Sequence, residues 1–78
     1  MGIIDRIEIN PGIMMGKPVI KGTRIPVYVI LNLLAEGRTA ADIQKEYPDV
    51  TPKDIVAVLR FAARTTHFEE LRMEALPA

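Results

Sequence analysis

The chain has 78 residues, with ten basic and ten acidic side chains and no cysteine. A chain of this length forms one small domain that hides only about 60% of its unfolded surface, so we expect support from a second copy rather than from disulfides or a thiolate zinc site. Zero net charge excludes a protein that holds polyanions by bulk charge, so any DNA contact must be local.

Three prolines and three glycines lie between residues 11 and 26. This density excludes a helix and predicts short strands and turns over residues 1–25. Residues 6–9 alternate polar and apolar side chains, as a half-buried strand does, and Val19-Ile20 and residues 23–25 flank Lys21-Gly22 as the arms of a hairpin. Because the strand at 6–9 would otherwise leave an unpaired edge, we expect a homodimer with the β segments at its interface.

From Pro26 onward the apolar residues recur every three or four positions. This spacing predicts a first helix over residues 26–36, with Pro26 at the first helical position and Gly37 as the stop after the helix. Its apolar positions are Ile30, Leu31, Leu33 and Leu34.

Two further helices begin with the same signal, a threonine followed three residues later by an aspartate. The threonine accepts from backbone N–H groups and the aspartate lies in the positive first turn, so Asp42 and Asp54 are interpreted as caps. Pro48 ends the second helix near Tyr47, and the third is predicted over residues 52–67. The three-residue link is the spacing of a helix-turn-helix, and its lack of glycine favours a homeodomain-like three-helix packing.

On a helical wheel the third helix separates a core side from a basic side. The predicted core side is Ile55, Val58, Leu59 and Ala62, and the opposite side is Lys53, Ala57, Arg60 and Arg64. In a helix-turn-helix the third helix enters the major groove, so we predict DNA contacts by Lys53, Arg60 and Arg64, with Thr51 or Pro52 near the DNA backbone. The alternative is an ordinary solvated charged face.

Partner contacts are predicted at the end of the chain. Phe61 lies between the two sides, either as a contact for a second chain or as a partly buried residue at the edge of the core. Residues 68–78 place Phe68, Leu71 and Leu76 among glutamates, which predicts an amphipathic tail that docks on a partner protein or else extends the third helix.

The sequence offers little for catalysis, since serine and cysteine are both absent and His67 is the single histidine. We therefore expect no enzyme, no cofactor, no metal and no small-molecule substrate. The longest apolar run, residues 25–34, is far shorter than the roughly 20 residues of a membrane span, and the N-terminus lacks a basic leader. A cytoplasmic protein without a membrane partner is expected.

Two stretches resemble the domain-of-unknown-function family numbered 433. They are residues 16–27, Gly-Lys-Pro-Val-Ile-Lys-Gly-Thr-Arg-Ile-Pro-Val, and the run from Ala35-Glu36-Gly37 through Tyr47-Pro48 to Asp54-Ile55, within a resemblance over residues 7–64. That family is similar to VapB-type antitoxins, has a homeodomain-like helical fold, and its genes often lie beside one for a PIN-like nuclease toxin. The resemblance implies an antitoxin that neutralises a nuclease and represses its own operon, but it assigns no residue a role.

We therefore expect a single, mainly α helix-turn-helix domain over residues 1–78, with a β and turn segment, a three-helix core over 26–67 and a tail. Two function classes remain open. One is an antitoxin-like protein that binds DNA and a PIN-like nuclease toxin. The other is an interaction or dimerisation module in which the helix-turn-helix is degenerate and binds no DNA.

Overall fold

The computed structural model describes the backbone of residues 2–4 and 6–74 and the side chains of residues 6–67. Within this part the chain is mainly α, as predicted, with three helices after a small antiparallel sheet. No helix there combines the length and apolarity that a membrane crossing requires. In chain order the elements are β1 Gly2–Ile4, β2 Ile7–Ile9, a 3₁₀ turn Met14–Gly16, β3 Val19–Ile20, α1 Val27–Ala35, α2 Ala40–Glu46 and α3 Pro52–Glu74.

The sheet has the order β1-β2-β3, with β2 hydrogen-bonded on both sides. Ile4 pairs with Ile7 across the first ladder, and Ile7 pairs with Ile20 across the second. The strand predicted at residues 6–9 is confirmed as β2, but the prediction that it presents an unpaired edge is wrong. The unpaired edge is therefore no longer a reason to expect a homodimer.

The predicted second arm of the hairpin, residues 23–25, is not a strand. The Thr23 hydroxyl donates to the carbonyl of Ile20 at 2.7 Å and accepts from the N–H of Ile25 at 3.0 Å, which folds the chain into a turn. What remains of the pairing is an isolated bridge between Val19 and Pro26. Side-chain hydrogen bonds of this kind compete with a strand ladder, and here the bonds of Thr23 form a turn instead of a strand.

Both ends of α1 follow from local chemistry. Pro26 is the N-cap, with ψ 145°, and the helix begins at Val27, one residue later than predicted. At the other end Gly37 has φ +90°, and two reversed bonds close the helix, from Gly37 N–H to Leu34 and from Arg38 N–H to Leu33, each 3.0 Å. This is a Schellman motif, in which glycine takes the left-handed position without a steric penalty.

Capping boxes open the other two helices, as predicted. Thr39 N–H donates to Asp42 at 3.0 Å and Asp42 N–H donates back to the Thr39 hydroxyl at 3.1 Å. Thr51 and Asp54 repeat the arrangement at 2.9 and 3.2 Å. The aspartates are confirmed as caps.

The third helix continues to Glu74 instead of ending near His67. No glycine or proline follows Pro52 until Pro77, so nothing in the sequence stops it. The predicted tail is therefore a continuation of α3 over residues 68–74, the second of the two alternatives for it. Residues 75–78 lie outside the described residues.

The core lies between the sheet and the helices. α1 packs against both α2 and α3, and β2 contacts α3. Residues 63–67 of α3 are exposed, so the described core contacts of the helix end before residue 63. The main core cluster contains Ile7, Ile20, Val27, Ile30, Ile43, Val50, Ile55, Ala57 and Val58.

Candidate nucleic-acid interface

The link between α2 and α3 is a tight turn anchored in the core. Tyr47 closes α2 by donating its N–H to Ile43 at 2.8 Å, and Val50 N–H donates to the Tyr47 carbonyl at 3.0 Å. The Val50 side chain is fully buried, while Thr51 is exposed at the start of α3. A buried apolar residue in the turn fixes how α3 leaves α2, which is what a helix-turn-helix requires.

Lys53, Arg60 and Arg64 lie on the exposed side of α3, and Val56 lies among them with 46% of its surface exposed. Each of these four residues is three or four positions from the next, so they follow one stripe along the helix. The structure thus brings the three predicted basic residues together on one accessible surface. We call this surface, Lys53, Val56, Arg60 and Arg64, the basic stripe.

The predicted division of α3 is wrong at two positions. Ala57 was expected on the basic side, but it is 2% exposed and belongs to the core. Leu59 was expected in the core, but 48% of its surface is exposed. Asp54 is only 6% exposed, so the buried side of the helix includes Asp54, Ala57 and Val58 and turns away from Leu59.

The burial of Asp54 is explained by an ion pair with Arg6, in the turn between β1 and β2. Arg6 Nη1 donates to Asp54 Oδ1 at 3.1 Å, and the other carboxylate oxygen accepts from Thr51 N–H. Burial by itself raises the pKa of Asp54, but the hydrogen bonds from Thr51 and Arg6 favour the charged form and hold the pKa below its usual value.

The first capping box differs in this respect. No arginine among the described residues hydrogen-bonds to Asp42, and the backbone N–H of Thr39 is the main cause that lowers its pKa. Sequence reasoning missed the role of Arg6, since Asp42 and Asp54 carry the same local signal and Arg6 is 48 positions from its partner. Nothing in the sequence near residue 54 distinguishes the two aspartates.

Arg6 also lies beside the basic stripe. A shallow depression of about 320 Å³ is lined by Arg6, Pro52, Lys53, Val56 and Arg60. The described part of this lining contains three basic side chains, of which Arg6 is paired with Asp54. The N-terminal segment thus contributes a side chain to a surface that was predicted to consist of α3 residues alone.

The predicted partner contacts have different outcomes. Phe61 is partly buried and packs against the core cluster, in agreement with the edge-of-core alternative for it. Phe68 and Leu71 lie on the helical backbone of α3, but their side chains are outside the described residues, as is the whole of Leu76. Their contact with a partner stays a prediction.

Among the described residues no group of histidine, cysteine, aspartate or glutamate is arranged to hold a metal ion. A second depression, of about 520 Å³, is lined by Arg38, Asp42, Lys45 and Glu46. Two cations and two anions balance there, and Arg38 pairs with Glu46 at 3.3 Å. This surface is an ordinary solvated polar face.

Fold and site together define a small, mainly α domain whose third helix carries an exposed basic stripe. The chain belongs to the DUF433 family, described as proteins of unknown function, whose model matches residues 7–62. It is also similar to a crystal structure of a DUF433 member from Anabaena variabilis, with a TM-score of 0.74 and 24% identity over 90% of this chain and 69% of that one. At that identity the likeness concerns the fold alone. No curated protein matches the chain.

Proposed function

We propose that this protein is an antitoxin-like DNA-binding protein that reads DNA with α3 and neutralises a PIN-like nuclease toxin. One observation supports the DNA-binding part above the others: Lys53, Arg60 and Arg64 are exposed on one stripe of the helix that follows the helix-turn-helix link. In this motif that helix lies in the major groove, where lysine and arginine contact phosphates and guanine edges.

The half-exposed Val56 suits the same groove. Apolar side chains on a recognition helix contact the methyl group of thymine, so an exposed valine between basic residues offers both apolar and charged contacts. Thr51, exposed at the start of α3, lies where its hydroxyl can contact the DNA backbone. The zero net charge means that these local contacts must supply the affinity.

Salt dependence tests the DNA-binding proposal. If the three basic residues each neutralise one phosphate and the protein binds as a homodimer, six contacts give a slope of log affinity against log salt of roughly −5, at about −0.9 per phosphate. Arg60→Ala/Arg64→Ala removes four contacts, so the slope on the DNA upstream of its own gene should become shallower by about 3 to 4. Light scattering on the same sample checks the homodimer.

A matched control is Arg24→Ala/Lys45→Ala, which removes the same charge from two exposed positions outside the stripe. The control should keep the parent's salt slope. Equal slopes for the parent and the α3 double variant would refute the assignment of α3.

The toxin-binding part depends on the likeness of this family to antitoxins and on the amphipathic spacing of Phe68, Leu71 and Leu76. Residues 63–67 are exposed, so truncation after Thr66 removes no core contact among the described side chains. The shortened protein should stay folded by circular dichroism and pull down less of the neighbouring gene's product. Full capture by the folded truncation would refute the role of the tail.

The second candidate function is an interaction module that binds no DNA. Val56 and Leu59 favour it, because they expose 46% and 48% of their surfaces on α3, where a partner helix could cover them. The salt-slope measurement separates the two functions, since an interaction module shows no salt-dependent affinity for the upstream DNA.

A further inference from the structure

The loop between β2 and β3 presents two methionines in strained backbone. Met14 and Met15 have φ +49° and +59°, in the left-handed region that residues with a side chain rarely adopt. Two hydrogen bonds hold the turn, from Gly16 N–H to the Ile13 carbonyl at 3.1 Å and from Lys17 N–H to the Met14 carbonyl at 3.2 Å. Met15 is 93% exposed, so packing of its side chain within the chain does not offset the strain. Strain of this kind is concentrated where a protein contacts a ligand or a partner.

The loop and the exposed side of α1 form one surface. The Nζ of Lys17 lies 5.2 Å from the centre of the Tyr28 ring, which joins the end of the loop to the start of the helix. Tyr28 is 50% exposed, and Asn32 and Ala35 are exposed four and seven positions further along the same side. The nine residues of α1 include no charged side chain. We call four side chains the methionine surface: Met14, Met15, Lys17 and Tyr28.

The composition of the methionine surface indicates what covers it. Methionine and tyrosine are enriched, and charged residues are depleted, at the centre of protein–protein interfaces. Methionine is also flexible and polarizable, and its sulfur makes favourable contacts with aromatic rings. Two methionines and a tyrosine beside an uncharged helix side therefore favour a protein partner with apolar and aromatic side chains.

The end of α3 supplies that chemistry. Phe68 and Leu71 are three positions apart on its helical backbone, so they share a side of the helix. Residues 68–78 contain three glutamates and one arginine, whereas residues 9–35 contain three basic side chains and no acid. The two segments are thus complementary in charge as well as in apolar character. The described core contacts of α3 end before residue 63, and Met15 is uncovered in its own chain, so a second copy is the fitting occupant.

We propose that two copies of this protein exchange the ends of their third helices, so that residues 68–74 of each copy lie on the methionine surface of the other. The apolar side of the helix then covers Met15 and Tyr28, and its glutamates lie beside Lys17. A twofold axis makes the two contacts equivalent. This dimer goes beyond the proposed function, and because residues 68–74 also contain proposed toxin contacts, the toxin and the second copy compete for them.

Two full-length variants test the exchange by sedimentation equilibrium. The surface variant, Met15→Asn/Tyr28→Gln, removes two apolar side chains, and asparagine tolerates the left-handed backbone. The tail variant, Phe68→Gln/Leu71→Gln, does the same on α3 with a good helix former. We expect about a tenfold loss for each of the two contacts, so the dissociation constant of the dimer should rise about a hundredfold in either variant. Circular dichroism checks that each variant stays folded, and Met15→Asn alone, at a 93% exposed position, replaces a surface variant that does not.

A mixture of the two variants identifies which surfaces meet. The intact tail of the surface variant can still lie on the intact methionine surface of the tail variant, so one of the two contacts survives. The mixture should therefore associate about tenfold more weakly than the parent and about tenfold more tightly than either variant alone. A mixture that associates no more tightly than the separate variants overturns the exchange.

Charge reversal gives a matched control. Lys17→Glu places a like charge beside the glutamates and should weaken the dimer, whereas Lys45→Glu, the same change at an exposed position of α2, should leave it unchanged. Equal weakening in both would contradict the placement of the glutamates beside Lys17. A parent that stays monomeric at millimolar concentration, or a double variant that dimerises as tightly as the parent, overturns the proposal. Because neither DNA nor toxin is present, these outcomes are independent of the proposed function.

Discussion

The two capping boxes allow the contribution of the Arg6 ion pair to be measured within one protein. Asp42 and Asp54 make the same reciprocal bonds to the threonine three residues before them, but only Asp54 is buried and paired with Arg6. Replacing Asp54 by alanine removes a cap, at about 1 kcal/mol, and a charged hydrogen bond whose contribution is reduced to about 1 kcal/mol because Arg6 is partly exposed. We expect a total loss near 2 kcal/mol.

That loss is large for this domain, whose total stability should be roughly 4 to 12 kcal/mol at its length. With a urea m-value of about 1 kcal/mol/M, the midpoint of unfolding should fall by about 2 M for Asp54→Ala. Asp42→Ala is the matched control and should lose about half as much, because it removes a cap alone. In the Arg6→Gln background the two alanine variants should approach each other, because the ion pair is already gone.

Urea unfolding followed by circular dichroism gives these values, provided that the m-value is unchanged. Equal losses for Asp42→Ala and Asp54→Ala in the parent background would contradict the reasoning. They would mean that burial and the Arg6 ion pair add nothing to an ordinary cap.

Three further predictions concern acid, the end of α1 and the 3₁₀ turn. The pKa of Asp54 in the folded protein lies below its unfolded value of about 3.9. Ionised Asp54 therefore contributes fully to the free energy of unfolding above that pH, and this contribution is lost as pH falls through the folded pKa. The stabilities of the parent and Asp54→Asn should accordingly converge between about pH 6 and pH 2. Gly37→Ala forces a side chain to φ +90° and should lower the free energy of unfolding by about 1 kcal/mol, whereas Gly12→Ala, in ordinary backbone and with ordinary contact at 3.4 Å, should cost less. Met15, 93% exposed, should be oxidised by hydrogen peroxide before Met14, 38% exposed, as mass spectrometry of peptides can show.

Local signals in the sequence were sufficient for most helix ends. Thr39 with Asp42, Thr51 with Asp54, and Gly37 each act on backbone groups within a few residues, so their effect can be read without knowing the fold. The mainly α class and the exposure of Lys53, Arg60 and Arg64 followed from the same local periodicity.

Long-range contacts could not be predicted in this way. The pairing of Arg6 with Asp54 joins the turn after β1 to α3 across 48 positions, and the sequence predicted Asp54 as a helix cap without a partner of this kind. Asp54 lies on the same buried side of α3 as Ala57 and Val58, and this side is rotated from the predicted one. A wheel that assigns an aspartate to the polar side therefore misplaces Ala57 and Leu59 as well.

The exchange of sides on α3 can be tested through two neighbouring side chains. Val58 is fully buried and Leu59 is 48% exposed, although leucine is the larger residue. Val58→Ala should cost about 2 to 3 kcal/mol, because it removes buried methyl groups and leaves a cavity. Leu59→Ala should cost about 1 kcal/mol, since much of the leucine is already in water. Urea unfolding at two protein concentrations measures both, and a Leu59→Ala loss that exceeds that of Val58→Ala and grows with concentration would mean that a second chain covers Leu59, which would favour the interaction module over the DNA-binding protein.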